Sequence, residues 1–280
     1  MKKTLIALAV AASAAVSGSA MAGLGNFDAG NLNNKVDFGG TITPDVIQNN
    51  WVWAVGQGYD QFSHTTLELT DFGKKLTITA GENMPLLVGK TTAAFEGSPG
   101  ISPQIAFSDS KGVINPVWAD DNAAGTMTLT VNDAQQQEIG SMTLNVKAFA
   151  PVAWSKTNAT EGVSLRYMNN STGSFTGSTG VFQSTPDFAT VNAILNAFGA
   201  PTLQELQAQI KSYPGLADIA NNESNRVITS SDDYSAAGWA YAGAYALGIP
   251  TGNQLVIDFN SAVLAETQWN APLMMQVSYN

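Results

Sequence analysis

The final thirteen residues, QWNAPLMMQVSYN, alternate. Trp269, Ala271, Leu273, Met275, Val277 and Tyr279 share one parity, and Gln268, Asn270, Gln276, Ser278 and Asn280 share the other. A period of two marks a strand with one buried face. The same pattern recurs upstream. Leu76 and Ile78 alternate in KKLTITA, and Met127, Leu129 and Val131 alternate with threonines in GTMTLTVND. Met142, Leu144 and Val146 continue it in GSMTLNVKAFAPVAW, and Trp51 and Trp53 share one face of WVWAVG. PLLVGKTTAAF, PQIAFSD and QLVIDF complete the set. Asn, Asp and Gly separate these runs. Short strands at this spacing predict an antiparallel sandwich rather than βαβ units.

Two stretches carry helical spacing instead. TPDFATVNAILNAFG places Phe188, Val191, Leu195 and Phe198 on one side, with Thr185 as N-cap, Pro186 at the first helical position and Gly199 past the end. PTLQELQAQIKSYPG places Leu203, Leu206 and Ile210 on one side and opens with a capping box, Thr202 and Glu205. Both helices are too short to stand alone and must dock on something. A Ser-, Thr-, Asn- and Gly-rich stretch precedes them from about Ser155, and the strand pattern resumes at about Trp239. This predicts an inserted lobe at 151–237 within a β body made of 39–150 and 238–280. Ahead of that body, GLGNFDAGNLNN is Gly- and Asn-rich. Leu32, Val36, Phe38 and Ile42 share a parity around it, too sparsely to nucleate a core, and Gly39-Gly40 follows as a hinge.

Composition then fixes the compartment. Lys2 and Lys3, an apolar run from Leu5 to Val16, and Ala20-Met21-Ala22 form the n-region, h-region and cleavage site of a secretory signal over residues 1–22. Its removal at Gly23 takes two lysines from a chain of net charge −10, leaving −12. Such a balance argues against nucleic acid or an anionic membrane surface as partner. With no cysteine, the exported chain must be held by packing and strand pairing rather than disulfides.

The chemistry of catalysis is sparse. His64 is the lone histidine, and no Gly-x-Ser-x-Gly elbow accompanies it. Asp120-Asp121-Asn122 and Asp232-Asp233 lack the spacing of a calcium loop and read as solvated turns. There is no phosphate loop and no His or Cys cluster. The expectation is a non-enzyme with no cofactor and no metal.

Several stretches resemble the FaeG-type major fimbrial subunit and adhesin of chaperone–usher fimbriae of enterotoxigenic bacteria. They are VDFGGTIT at 36–43, WVWAVGQG at 51–58, KLTITA at 75–80, PQIAF at 103–107, AYALGI at 244–249 and TQWNAPL at 267–273, in the family's order, together with the opening MKKTLIALA. The resemblance implies a mainly β fold: an incomplete immunoglobulin-like antiparallel sandwich completed by a donor strand, with a lobe containing two short helices. It implies as partners a periplasmic chaperone, an outer-membrane usher, other copies of the chain and galactose-containing host glycans, with export through the periplasm to a cell-surface fimbrium. Residues 23–38 are then the donor extension, led by Leu32, Val36 and Phe38. The row Trp269, Ala271, Leu273, Met275, Val277 and Tyr279 borders the groove offered to the chaperone. By position in the lobe, Trp154, Glu161, Arg166, Tyr167, Asn169, Asn170 and Phe175 are candidate sugar contacts, with core packing the alternative for Trp154 and Tyr167. One departure stands out: related pilins carry a Gly about fourteen residues from the end, where this chain reads Glu266-Thr267-Gln268. A purely structural shaft subunit and a secreted monomeric carbohydrate-binding protein are the alternative readings.

Overall fold

The alternating runs become strands in the computed structural model, which describes residues 50–119, 121–158, 162–221 and 225–280. These strands are β1 (Trp51–Val55), β2 (Lys75–Thr79), β3 (Met84–Thr91), β4 (Phe95–Glu96), β5 (Pro103–Asp109), β6 (Gly112–Ile114), β7 (Val117–Trp118), β8 (Ala124–Asp133), β9 (Glu138–Phe149), β10 (Pro151–Lys156) and β11 (Ser164–Met168). Helices α1 (Phe188–Phe198) and α2 (Leu203–Lys211) follow, then β12 (Ile228–Ser230), β13 (Trp239–Ile249), β14 (Gln254–Phe259), β15 (Trp269–Asn270) and β16 (Met274–Tyr279). The signal and donor-extension residues, including Leu32, Val36 and Phe38, lie outside the described residues.

The larger sheet runs β12-β11-β10-β13-β9-β14-β2, with β3 joining β13 to β1 and β8 joining β9 to β7 and β15. Pairing is antiparallel apart from β11 with β12. A second sheet, β16-β5-β6, faces it. Together they form the expected mainly β, immunoglobulin-like sandwich with two helices in its insert.

Strand β13 shows why the helices stay. Its sequence WAYAGAYALGI puts Tyr241, Tyr245, Leu247 and Ile249 into the core between the sheets. Ala240, Ala242, Ala244 and Ala246 face the other way, into a second core with Val191, Leu195, Leu203, Leu206 and Ile210 of the helices. Small residues let the helices approach the sheet closely. Burying Leu203, Leu206 and Ile210 contributes about 1.5–3 kcal/mol each relative to exposure, which is what the nine-residue α2 needs to persist. Gly248 extends this requirement, because a Cβ there would lie 2.4 Å from the Phe198 ring.

The helix ends follow the expected rules with one correction. Thr202 and Glu205 form the capping box of α2, and Gly199 caps α1 in the left-handed region at φ 75°. The N-cap of α1, however, is Asp187 rather than Thr185. Its carboxylate accepts the Thr190 amide at 2.8 Å. Proline biases the preceding Thr185 toward extended backbone, and the Pro186 carbonyl is taken by the Val227 amide, so the helix opens two residues later.

One carboxylate ties the two sheets together. Asp109, at the end of β5, accepts the Thr130 amide of β8 at 2.8 Å and the Lys111 and Gly112 amides of its own turn. Burial by itself would raise its pKa, but these hydrogen bonds outweigh burial and hold the carboxyl below its usual range. A depressed acid stabilises the fold fully above the unfolded pKa of about 3.9 and loses that contribution as pH falls through the lower folded value. Asp109→Asn should therefore lose about 1–3 kcal/mol at neutral pH. In thermal unfolding across pH, the gap to wild type should close only below about pH 3.9; a pH-independent gap contradicts the assignment. Gly248→Ala should cost about 1–3 kcal/mol through overpacking, and Phe198→Leu should relieve part of that loss. Strictly additive effects of the two changes would show that they do not meet.

Candidate functional site: an open groove beside the last strand

The C-terminal run keeps its predicted parity but not its continuity. β15 pairs with β8 in the larger sheet, Trp269 opposite Asp133 and Asn270 opposite Asn132. Ala271, Pro272 and Leu273 then cross over, and β16 pairs with β5 in the smaller sheet, from Met274 opposite Ser108 to Tyr279 opposite Pro103. Pro272 has no amide to give a ladder, which accounts for a break there that hydrophobic spacing cannot reveal. Throughout 268–280 the odd positions are half-buried and the even positions exposed.

Half-burial is the informative part. Trp269, Ala271, Leu273, Met275, Val277 and Tyr279 all pack against the sandwich core, yet none is fully covered. Beside them lies an open groove of about 960 Å³, floored by apolar side chains of the larger sheet such as Leu76, Met142, Leu144 and Leu255. Among the described residues β16 has a ladder partner on one edge only, β5. Among the described residues nothing pairs with its other edge, whose backbone donors and acceptors are suited to a further strand.

The far wall of the groove comes from residues with no periodic signature. Tyr59 donates its hydroxyl to the Pro85 carbonyl at 2.9 Å, and Phe62 stacks on Trp269 at 6.3 Å. Burial raises the Tyr59 pKa, with Glu82 adding to the effect, so the phenol stays protonated as a donor. His64 sits on the same wall and pairs with Glu68 at 3.2 Å. That places the lone histidine in a local turn contact. At one end of the last strand, the Trp53 indole donates to the Tyr279 hydroxyl at 2.8 Å, joining β1 to β16 across the two sheets.

The candidate sugar contacts separate into two groups. Phe175 is fully buried and stacks on Tyr245 at 5.1 Å. Tyr167 packs on Phe149 at 5.0 Å and is 4% exposed. Neither presents a ring face to a ligand, so both leave the candidate set for the core: Tyr167 follows the inward parity of β11, and Phe175 reaches inward through a left-handed backbone at φ 61°. Trp154, Arg166, Asn169 and Asn170 are half-buried at the surface. The Asn169 side-chain oxygen caps its own turn through the Ser171 and Thr172 amides. Glu161 lies outside the described residues. Among the described residues no cluster of His, Cys, Asp or Glu is placed to hold a metal.

Asp121 and Asp232, from the two acidic pairs, have structural partners. Asp121 accepts the Asn122 and Gln183 amides. Asp232 accepts the Tyr234 amide and the Tyr241 hydroxyl, and burial raises its pKa above the ordinary carboxylate value.

Comparison with known proteins agrees with this geometry. The whole chain, residues 1–280, matches the family described as "Fimbrial, major and minor subunit". It is 34% identical over 295 residues to K88 fimbrial protein AC of Escherichia coli, with all of both chains covered. K88 fimbrial protein AD, at 33%, and F41 fimbrial protein, at 30%, both from Escherichia coli, are likewise matched along their full lengths. The chain belongs to this family of fimbrial subunits, and to its FaeG-like branch, as the motifs at both of its ends imply.

Proposed function

We propose that the chain is the major subunit of a bacterial surface fimbria and polymerises by donor-strand exchange. The observation that carries this reading is the groove: a half-covered apolar row, Trp269 to Tyr279, beside a last strand with one ladder partner among the described residues. A strand added there satisfies the open edge through main-chain bonds, while alternate side chains set its register. Residues 23–38 of a neighbouring copy have the composition for the task. Leu32, Val36 and Phe38 share a parity, and burying each in the groove contributes about 1.5–3 kcal/mol before ordering costs.

Before polymerisation the same edge would invite aggregation, which is the physical case for a periplasmic chaperone strand in the groove and an usher that hands the subunit on. In this reading residues 1–22 direct export, 39–150 and 238–280 build the sandwich, and 151–237 is an inserted lobe. The fimbrial-subunit family to which the chain belongs suits a structural and adhesive role rather than a catalytic one. The lobe is the part assigned to host glycans, through Trp154, Arg166, Asn169 and Asn170.

Deletion of residues 23–38 behind an intact signal should abolish surface fibres seen by electron microscopy and leave a chaperone-bound, folded subunit. Fibres of unchanged length and number from that truncation would overturn donor-strand exchange, and a stable monomer recovered without a chaperone would favour a secreted carbohydrate-binding protein.

A further inference from the structure

One sheet face where the lobe meets the sandwich carries two cations held on indoles. On β10, Trp154 stands opposite Ser164 of β11 and Tyr241 of β13, and Lys156 stands opposite Trp239. The Lys156 ammonium lies 5.5 Å from the centre of the Trp239 ring, and the Arg166 guanidinium lies 5.9 Å from the centre of the Trp154 ring. Residues two apart on a strand share a face about 6.6 Å apart. Arg166, Trp154, Lys156 and Trp239 thus form one continuous patch on that face of the sheet, while Tyr241 carries the same face inward to the core.

The cations are notable for what they do not touch. In a chain of net charge −10, no carboxylate among the described residues forms an ion pair with either of them. Arg166 is half-buried, and burial pulls its pKa below the ordinary value, as expected of a guanidinium that has given up water without gaining an anion. The carboxylates that approach through Tyr241 are engaged: Asp232 by the Tyr241 hydroxyl and the Tyr234 amide, and Asp233 by Ser235. Stacking on indoles restricts both cations, so the ordering cost of binding an anion is already partly met.

We infer that this face binds an acidic saccharide, with its carboxylate or sulfate on Arg166 and Lys156 and the apolar side of a sugar ring against Trp154. The face of an indole with flanking fixed donors suits the apolar side of a pyranose, and a planar guanidinium suits a two-oxygen anion. The inference rests on the adhesive reading of the lobe and names the chemistry of its ligand.

Calorimetric titration of the full-length chain, in the assembly recovered from expressing cells, tests it with lactose, sialyllactose, sulfated lactose and inorganic sulfate. The acidic sugars should bind at least about tenfold more tightly than lactose, as charge-assisted hydrogen bonds require, and the advantage should shrink with added salt. Arg166→Gln and Lys156→Gln should reduce the acidic sugars to the level of lactose with thermal unfolding unchanged, and Trp154→Ala should weaken every sugar. Equal binding of lactose and the acidic sugars, or acidic-sugar binding unaltered in both cation variants, overturns the inference and leaves the adhesive reading standing. Inorganic sulfate binding as tightly as sulfated lactose shows a bare anion site and overturns the saccharide assignment. Failure of every sugar to bind removes the adhesive reading along with it.

Discussion

The last strand hydrogen-bonds to β5 along one edge, and its apolar row rests half-covered over the floor of the sandwich. Much of the molecule depends on that arrangement. A backbone edge facing solvent costs little, but an apolar groove of about 960 Å³ beside such an edge is a template for another strand. The surrounding structure keeps this template in shape. Tyr59 and Phe62 fix one wall, the Trp53–Tyr279 hydrogen bond closes one end, and Asp109 pins β5, the strand that carries β16, to β8. The groove is therefore built on rigid, paired strands, which suits a surface that must recognise an incoming segment in one register.

β13 supplies the second organising constraint. Its tyrosines and its alanines serve different cores, so a single strand couples the sandwich to the helical insert. The insert continues the sheet through β10, β11 and β12, and its helices close over the alanine face. The face of β10 and β11 proposed to bind a saccharide is consequently held by the same hydrogen-bonded ladder that runs to β9, β14 and β2. The indole-bound cations lie on the larger sheet, and the open edge belongs to β16 of the smaller one.

What could be read in advance follows from how local each signal is. The parity of Trp269 to Tyr279, the alternation in β8 and β9 and the capping box of α2 are one-dimensional patterns, and they reappear in the fold. The crossing at Ala271–Leu273 depends on which sheet each half of the run can reach, and Pro272 was its one local sign. The N-cap moved from Thr185 to Asp187 because both residue types cap, Asp the better of the two, and the Val227 contact at Pro186, far away in sequence, favours the later start. Tyr167 and Phe175 have the composition of sugar contacts, yet packing from Phe149 and Tyr245 places them in the core. Lys156 and Trp239 lie more than eighty positions apart, and only the β10–β13 register brings them together. The groove wall at Tyr59 and Phe62 had no periodic signal.

The open edge of β16 is the centre of the account, and amide hydrogen exchange along Met274–Tyr279 tests it most directly. Measured in the truncated subunit lacking residues 23–38 after release from its chaperone, and in assembled fibres, alternate amides of this strand should exchange rapidly in the first and become strongly protected in the second, while the β5-paired amides stay slow in both. Equal protection of the whole strand in the two states would mean that the edge is already satisfied within one chain, and would contradict the account.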